Sequence, residues 1–257
     1  YGPSTSTGDG VIMATADGIN AATRLMEYGK RYPNGVEVSK GIAKSTIAGN
    51  ITGWTMSAIL VNAEGERVVN EKASNRTILE AELAQTGSEL FLLMDSETFN
   101  VWKTKLAAAG LTEESIDGYV AANGTTTPVF AHGDTLEEVA AAAGVNGENL
   151  VKTVERYNGF VAAGSDEDFG RSADYMTMAI GDGPYYLVEQ KPRFATTMGG
   201  LVVNTSLQVE NTDGDVIPGL YAAGEVVGGV MGDDSPSGAN NGWALTAGKL
   251  AAEAIAK

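Results

Sequence analysis

The chain has 257 residues, which at about 150 residues per domain predicts one or two domains with a core of useful size. Its 43% hydrophobic and 19% charged residues place it outside the disordered class, and no apolar run nears the roughly 18 residues that span a bilayer. Seventeen Lys and Arg against 33 Asp and Glu leave a net charge of -16, a field that repels phosphate backbones and anionic lipid and so disfavours nucleic acid and membrane as partners. After a small, polar opening, Thr7-Gly8-Asp9-Gly10 leads into a short helix with Val11, Ile12, Ala14, Ala16 and Ile19 as its apolar residues and a cap near Asp9. Residues 29–57, rich in Gly, Lys, Ser, Thr and Asn, show little periodicity and read as irregular connection. A hairpin is predicted from Ile59–Val61, a turn at Ala63-Glu64-Gly65-Glu66, and Val68-Val69. Arg76–Gln85 reads as a helix, Leu90–Met94 as a buried strand, and Ser96–Ala109 as a helix with Gly110 as its C-cap. Asp134 or Thr135 caps the next helix, whose first turn holds Glu137 and Glu138, and Asn146–Ala163 carries a core stripe of Leu150, Val154, Tyr157 and Val161. Residues 165–185 read as an acidic, aromatic loop region. From Arg193 the pattern is strand, Asp-Gly turn, strand, Pro-Gly turn and an apolar strand ending in glycines, before a small-residue helix at Gly238–Ala256.

The residues able to do chemistry are few. There is no Cys and a single His, His132, so disulfides, thiolate nucleophiles and Cys or His-pair metal sites are excluded, and a Ser/His triad would depend on His132 alone. His132 precedes a helix cap and reads as an exposed loop residue with a structural or solvated role. Asp233 and Asp234 read as a solvated pair, since a metal there would need more ligands than their neighbourhood offers. Chemistry here is expected to come from a cofactor. The 33 glycines, about 13% against an average near 7%, call for many sharp turns and close approaches. Gly219-Leu220-Tyr221-Ala222-Ala223-Gly224-Glu225 is the most informative stretch. A strand that ends on Gly and an acid lets the backbone approach a ligand while the carboxylate accepts hydrogen bonds from sugar-like hydroxyls. The helix opening near Gly238-Ala239-Asn240-Asn241-Gly242 offers unpaired N–H groups and a positive dipole end to an anion or a carbonyl. A strand–Gly–helix unit alone is also a common structural device.

In collinear order, TGDGxxMA, ILVNxEGERVVNE, TMGGLVVNTSxQV, VIPGLYAAGEVVGGV and LTAGKLAAE cover nearly the whole chain. Together they resemble the fumarate reductase and flavocytochrome c branch of FAD-dependent oxidoreductases, which is similar in turn to urocanate reductase and 3-ketosteroid dehydrogenases. The resemblance implies an α/β or α+β fold in which residues 1–27 and 195–257, parts of an FAD-binding domain, enclose an α+β capping domain at 28–194. It implies FAD as cofactor, with Asp9, Gly10, Gly224 and Glu225 at the cofactor, Thr196 in place of a flavin-contacting histidine, and Asn240 and Asn241 near the flavin ring. The family's G-x-G-x-x-G turn and ribose-binding acid are not found in these residues. Together with Tyr1 in place of Met, this predicts the C-terminal part of a longer flavoprotein, or a chain whose ADP-binding half is on another polypeptide. Either way, FAD is expected to bind this chain alone weakly or not at all.

Fumarate reductases hold two carboxylates with histidines and an arginine and protonate carbon through an arginine path, which suits a dianion. At the corresponding positions this chain has Tyr32, Ile51, Trp54, Asn75, Ala195 and Ser235, which removes fumarate from the expected substrates. The loop from Met231 to Gly238 is more similar to the steroid dehydrogenases, although their tyrosine there is Ser235. The remaining catalytic candidates are Tyr32 as proton donor or carbonyl ligand and Arg76 and Arg193 as holders of one carboxylate, with Thr196, Thr197 and Ser235 available to a neutral ligand. Tyr32 and Arg76 have plain alternatives, a half-buried loop residue before Pro33 and a solvent-facing helix residue; Arg193 is open to a structural role as well as a functional one, and Trp54 reads as cap packing rather than a stacking platform. No metal ligand is expected. Two functions follow: reduction or desaturation of an activated C–C bond in a small monocarboxylate or enone, or an inactive flavin- or ligand-binding module that keeps the fold. A sugar or peptide binder without flavin is a third. Expected partners are a small-molecule substrate, the N-terminal half of the same flavoprotein and an electron donor. The missing cysteines and acidic, Lys-poor composition suit an exported bacterial protein.

Overall fold

The computed structural model describes residues 5–236 and 238–256; the first four residues of the polar opening, Ser237 of the 231–238 loop and Lys257 lie outside them. In chain order the elements are α1 (Asp9–Ala14), β1 (Thr23–Arg24), β2 (Gly29–Ser39), β3 (Ile42–Ser45), α2 (Ile47–Gly53), β4 (Ile59–Val61), α3 (Asn75–Leu83), β5 (Leu90–Asp95), α4 (Ser96–Lys103) and α5 (Glu113–Ala122). They continue with β6 (Phe130–Gly133), α6 (Leu136–Ala143), α7 (Gly147–Ala163), β7 (Tyr185–Thr197), β8 (Gly200–Leu201), β9 (Gln208–Glu210), β10 (Val216–Tyr221) and α8 (Ala239–Ile255). The chain divides into two compact units: one is Tyr32–Arg193, and the other joins the residues up to Arg31 to those from Phe194 onward.

The unit Tyr32–Arg193 is built on a six-stranded sheet in the order β3-β2-β7-β5-β4, with β6 also paired to β7. β5 is buried along its whole length, and alternation sends Leu90, Leu92 and Met94 to one face and Phe91 and Leu93 to the other. The first face packs on Phe99 and Trp102 of α4, Ile78 of α3 and Ile116 of α5; the second packs on Val139 of α6 and Leu150, Val154 and Tyr157 of α7. An apolar run of this kind fits a strand covered on both sides. Apart from α2, the helices of this unit begin on side-chain caps: Ser74, Asp95, Thr112, Thr135 and Asn146 each accept a hydrogen bond from a first-turn N–H. Thr135 is the cap of α6, and Glu138 returns the bond to the Asp134 N–H, completing a capping box.

Several expectations need correction. The stretch 29–57 is not irregular: it forms β2, β3 and α2, and polar residues such as Thr46 and Asn50 are buried because tertiary partners satisfy them, both bonding Gln190 Oε1. The second arm of the hairpin is reduced to a single Val61–Arg67 bridge. The Leu60 N–H instead donates to the Glu71 carboxylate at 3.1 Å, and Arg67 is drawn into an ion network. The turn itself stands, with Gly65 at φ 78°. A Cβ there would lie 2.4 Å from the Asn146 carbonyl oxygen and 2.8 Å from the Leu150 nitrogen, both backbone atoms. Gly65→Ala is therefore expected to destabilise the protein by about 2 kcal/mol or more in urea unfolding. α4 stops at Lys103, and Gly110 closes a separate 3₁₀ turn, Ala107–Ala109. His132 lies half-buried in β6, paired with Tyr186, rather than in an exposed loop. α1 is capped by Gly8, next to Asp9 as expected, but ends at Ala14, short of Ala16 and Ile19.

In the other unit, β1 pairs antiparallel with β8 and β9 with β10, around a small core of Ala14, Ala21, Leu201, Val209, Ala222 and Val227. The Pro-Gly pair does not turn the chain: Pro218 and Gly219 sit inside β10, where the register against β9 slips between Val216 and Tyr221. Gly200 lets two backbones touch, since a Cβ there would stand 2.2 Å from the Val226 carbonyl oxygen. Trp243, Ala247 and Ala251 of α8 pack on Leu207 and Ala223. Among the described residues no helix is long and apolar enough to cross a membrane.

Candidate cofactor site

The apolar strand β10 ends at Tyr221, and the chain continues through Ala222 and Ala223 into a single 3₁₀ turn, Gly224–Val226. That turn carries Glu225 to the end of β7. There Glu225 Oε1 accepts from the Thr197 N–H at 2.9 Å and the Thr197 hydroxyl at 3.2 Å, and also from the Thr196 hydroxyl. Three donors on one carboxylate oxygen fix the side chain and leave the second oxygen outside that set. Trp243 Nε1 donates to the Gly224 carbonyl at 3.0 Å and joins α8 to the same turn. α8 starts on Gly238, which has no side chain to cap it, so the first-turn residues Asn240 and Asn241 stand at a helix end open to a ligand's carbonyl or negative charge.

These residues surround a cleft of about 120 Å³ lined by Thr197, Glu225, Met231, Asn240, Asn241 and Trp243, among others. The structure thus brings Thr196, Gly224, Glu225, Asn240 and Asn241 together. Asp9 and Gly10 do not line this cleft: Asp9 is exposed and accepts from the Thr7 hydroxyl, and Gly10 packs on Val226 of the same 3₁₀ turn and borders an apolar groove of about 480 Å³ with Met13, Ile19 and Leu220. A fixed carboxylate, amide side chains and apolar walls from Met198, Val227 and Val230 fit the edge of a flat ring system bearing carbonyls. The cleft alone is smaller than the roughly 300–1,000 Å³ of ligand pockets.

The catalytic candidates belong to the other unit or its boundary. Arg193 is buried; its guanidinium lies 4.6 Å from the Tyr32 ring centroid and donates to the Asn34 carbonyl at 3.1 Å and the Asn34 side-chain oxygen at 3.1 and 3.3 Å. Arg76 is 60% exposed at the start of α3 and 3.9 Å from Glu80. Trp54 packs in the core with its carbonyl bound to Arg171, and Ser235 is buried. Among the described residues, no group of three or more His, Asp or Glu gathers to hold a metal. The sequence reading missed Asn34 and Lys30. Lys30 Nζ donates to Asp234 Oδ1 and to the Ser235 carbonyl, 204 and 205 positions along the chain. Nothing in the local sequence around a surface-type lysine signals such a reach.

The fold and this cleft define a flavin-binding protein. Residues 1–241 match the FAD binding domain family, and the chain belongs to that family, with FAD as its cofactor. Among relatives, it is 35% identical over 253 residues to a fumarate reductase (cytochrome) of Shewanella frigidimarina, covering 98% of this chain and 40% of that protein. It is 34% identical over 227 residues to a urocanate reductase of Eggerthella lenta, covering 88% of this chain and 35% of that one. Its structure is similar to 3-ketosteroid delta1-dehydrogenase from Sterolibacterium denitrificans, with TM-score 0.75 and 26% identity over 99% of this chain and 48% of the other. The chain thus spans less than half the length of these relatives.

Proposed function

We propose that this chain is the C-terminal part of an FAD-dependent oxidoreductase that reduces or desaturates an activated C–C bond of a small organic substrate other than fumarate. The observation that carries the reading is the Glu225 cleft, with its carboxylate fixed by Thr196 and Thr197 beside Asn240 and Asn241, in a chain of the FAD binding domain family. FAD, when bound, supplies the hydride exchange. Thr196, Thr197 and Glu225 hold the strand end and the 3₁₀ turn in place for it, and Asn240 and Asn241 offer hydrogen bonds at the helix start. Residues 1–27 and 195–257 are assigned to the FAD-binding domain and 28–194 to a capping domain. Tyr32 supplies a hydroxyl that can bind a carbonyl or carry a proton, and the buried Arg193 cation beside it favours a substrate oxygen with negative character. Arg76, exposed and 3.9 Å from Glu80, stays a candidate holder of one substrate carboxylate.

Three features support a longer polypeptide around this chain. The cleft is too small to enclose a whole cofactor, the relatives are more than twice as long, and the unit carrying the cleft exposes apolar side chains. Ile12 is 62% exposed, Met13 65% and Leu245 79%. The N-terminal half of the same flavoprotein is the partner that would cover them, and an electron donor completes the system.

A second reading, a binding module that keeps the fold and not the reaction, is favoured by one fact. The Arg193 guanidinium is already engaged by Asn34 and Tyr32. The deciding experiment is to reconstitute the full-length flavoprotein with FAD, reduce it with dithionite under anaerobic conditions, and follow flavin reoxidation by a panel of enones and enoates. Reoxidation by at least one of them and not by fumarate is expected; reoxidation by fumarate alone, or by none, overturns the proposal. This chain by itself should lose FAD on desalting, and stoichiometric retention would contradict the need for further polypeptide.

A further inference from the structure

Between Met231 and α8 no helix or strand is found among the described residues, yet this stretch leads directly into α8. Its turn is folded about one cation. Lys30, near the start of β2, is 10% exposed at its side chain and donates to both Asp234 Oδ1 and the Ser235 carbonyl. Asp234 Oδ1 also accepts from the Ser235 N–H at 2.7 Å, so one carboxylate oxygen serves the loop backbone and the lysine together. Ser235 is buried beneath this arrangement. Met231, which opens the loop, and Asn240 and Asn241, which follow it, line the Glu225 cleft. An ammonium shielded from water binds a carboxylate and a carbonyl more strongly than an exposed one, because the surrounding dielectric is low.

We propose that Lys30 is a positioning residue for the cofactor cleft: through Asp234 and the Ser235 carbonyl it fixes the turn from which α8 starts, and so sets where Met231, Asn240 and Asn241 meet FAD. The proposal rests on the assignment of FAD to this cleft. Hydrogen–deuterium exchange on the full chain reads the loop without any cofactor. In Lys30→Met and Asp234→Asn, amides from Gly232 to Asn241 should exchange about tenfold faster while β9 and β10 keep their rates. Lys30→Arg, which keeps the charge, should restore most of the protection. The Asp234 side chain is 49% exposed, so Asp234→Asn tests the contact with little risk to folding. In the FAD-reconstituted full-length protein, both disruptive variants should release FAD several-fold faster. Unchanged exchange in both variants, or acceleration spread evenly over the unit, overturns the proposal. Faster loop exchange with an unchanged rate of FAD release overturns its cofactor half while leaving the FAD assignment standing.

Discussion

Replacing Arg171 with methionine is expected to lower stability by about 3–5 kcal/mol. The guanidinium is fully buried and makes four bonds: to the Glu71 carboxylate at 3.1 Å and to the carbonyls of Ala58 at 3.0 Å, Trp54 at 2.7 Å and Tyr175 at 3.1 Å. Glu71 is also held by Arg67 in a two-pronged pair at 2.9 and 3.0 Å, and Arg67 reaches Asp166 at 3.1 Å. Burial alone would push the Asp166 carboxyl up, but the Arg67 guanidinium and the N–H groups of Arg171 and Phe169 hold it below the usual carboxylate range. With methionine at 171, the Arg67–Glu71 pair survives, but three carbonyls lose a charged donor, those of Ala58 and Trp54 in buried surroundings and that of Tyr175 nearer the surface. Each is worth about 1–3 kcal/mol, so the backbone partners dominate the loss. Urea unfolding should show the midpoint falling with little change in slope. Arg171→Lys, which keeps the charge but can serve fewer of the four acceptors, should fall between. A loss below about 1 kcal/mol in Arg171→Met would mean that these carbonyls find other partners.

That network also shows what a sequence reading can reach. Leu90–Met94 was legible as a buried strand because an unbroken apolar run has few other fates, and α6 and α7 were legible because Thr135, Glu138 and Asn146 act on their own near neighbours. Arg67 and Glu71 lie in the ILVNxEGERVVNE motif and Asp166 and Arg171 in a stretch read only as an acidic loop; nothing local says that they meet across about a hundred positions. The same limit hid β2 and β7. Asn34, Glu37, Glu189 and Gln190 break the alternation expected of strands, and they are tolerated because each finds a partner from a distant segment. At the cleft, Gly224, Glu225 and the α8 start were readable as residue types suited to a ligand. What could not be read is that Glu225 is held by Thr196 and Thr197, or that Arg193 stacks on Tyr32.

Glu82 makes the opposite case, a buried charge-bearing group that the fold leaves unsatisfied. It follows Ile78 by one helical turn, so α3 turns both inward, and Glu82 is fully buried with neither carboxylate oxygen hydrogen-bonded. Burial, reinforced by the nearby Glu89 carboxylate, pushes its pKa up to about 10 from 4.5. At neutral pH the native protein therefore keeps a proton there that the unfolded chain gives up. Folding takes up that proton, and stability falls as pH rises from about 4.5 toward 10, by about 1.4 kcal/mol per pH unit. Below pH 4.5 both states are protonated and this penalty vanishes. Glu82→Leu and Glu82→Gln should both be more stable than the natural chain, with an advantage roughly 4 kcal/mol larger at pH 8 than at pH 5. Leucine should gain more, because it also removes the unpaired polar atoms, whereas glutamine keeps an amide in the same dry site. Urea unfolding at pH 5, 6.5 and 8 gives the difference directly, and comparison with the natural chain cancels every other titrating group. Parallel stability profiles for the natural chain and both variants would show that Glu82 ionises normally in the folded protein.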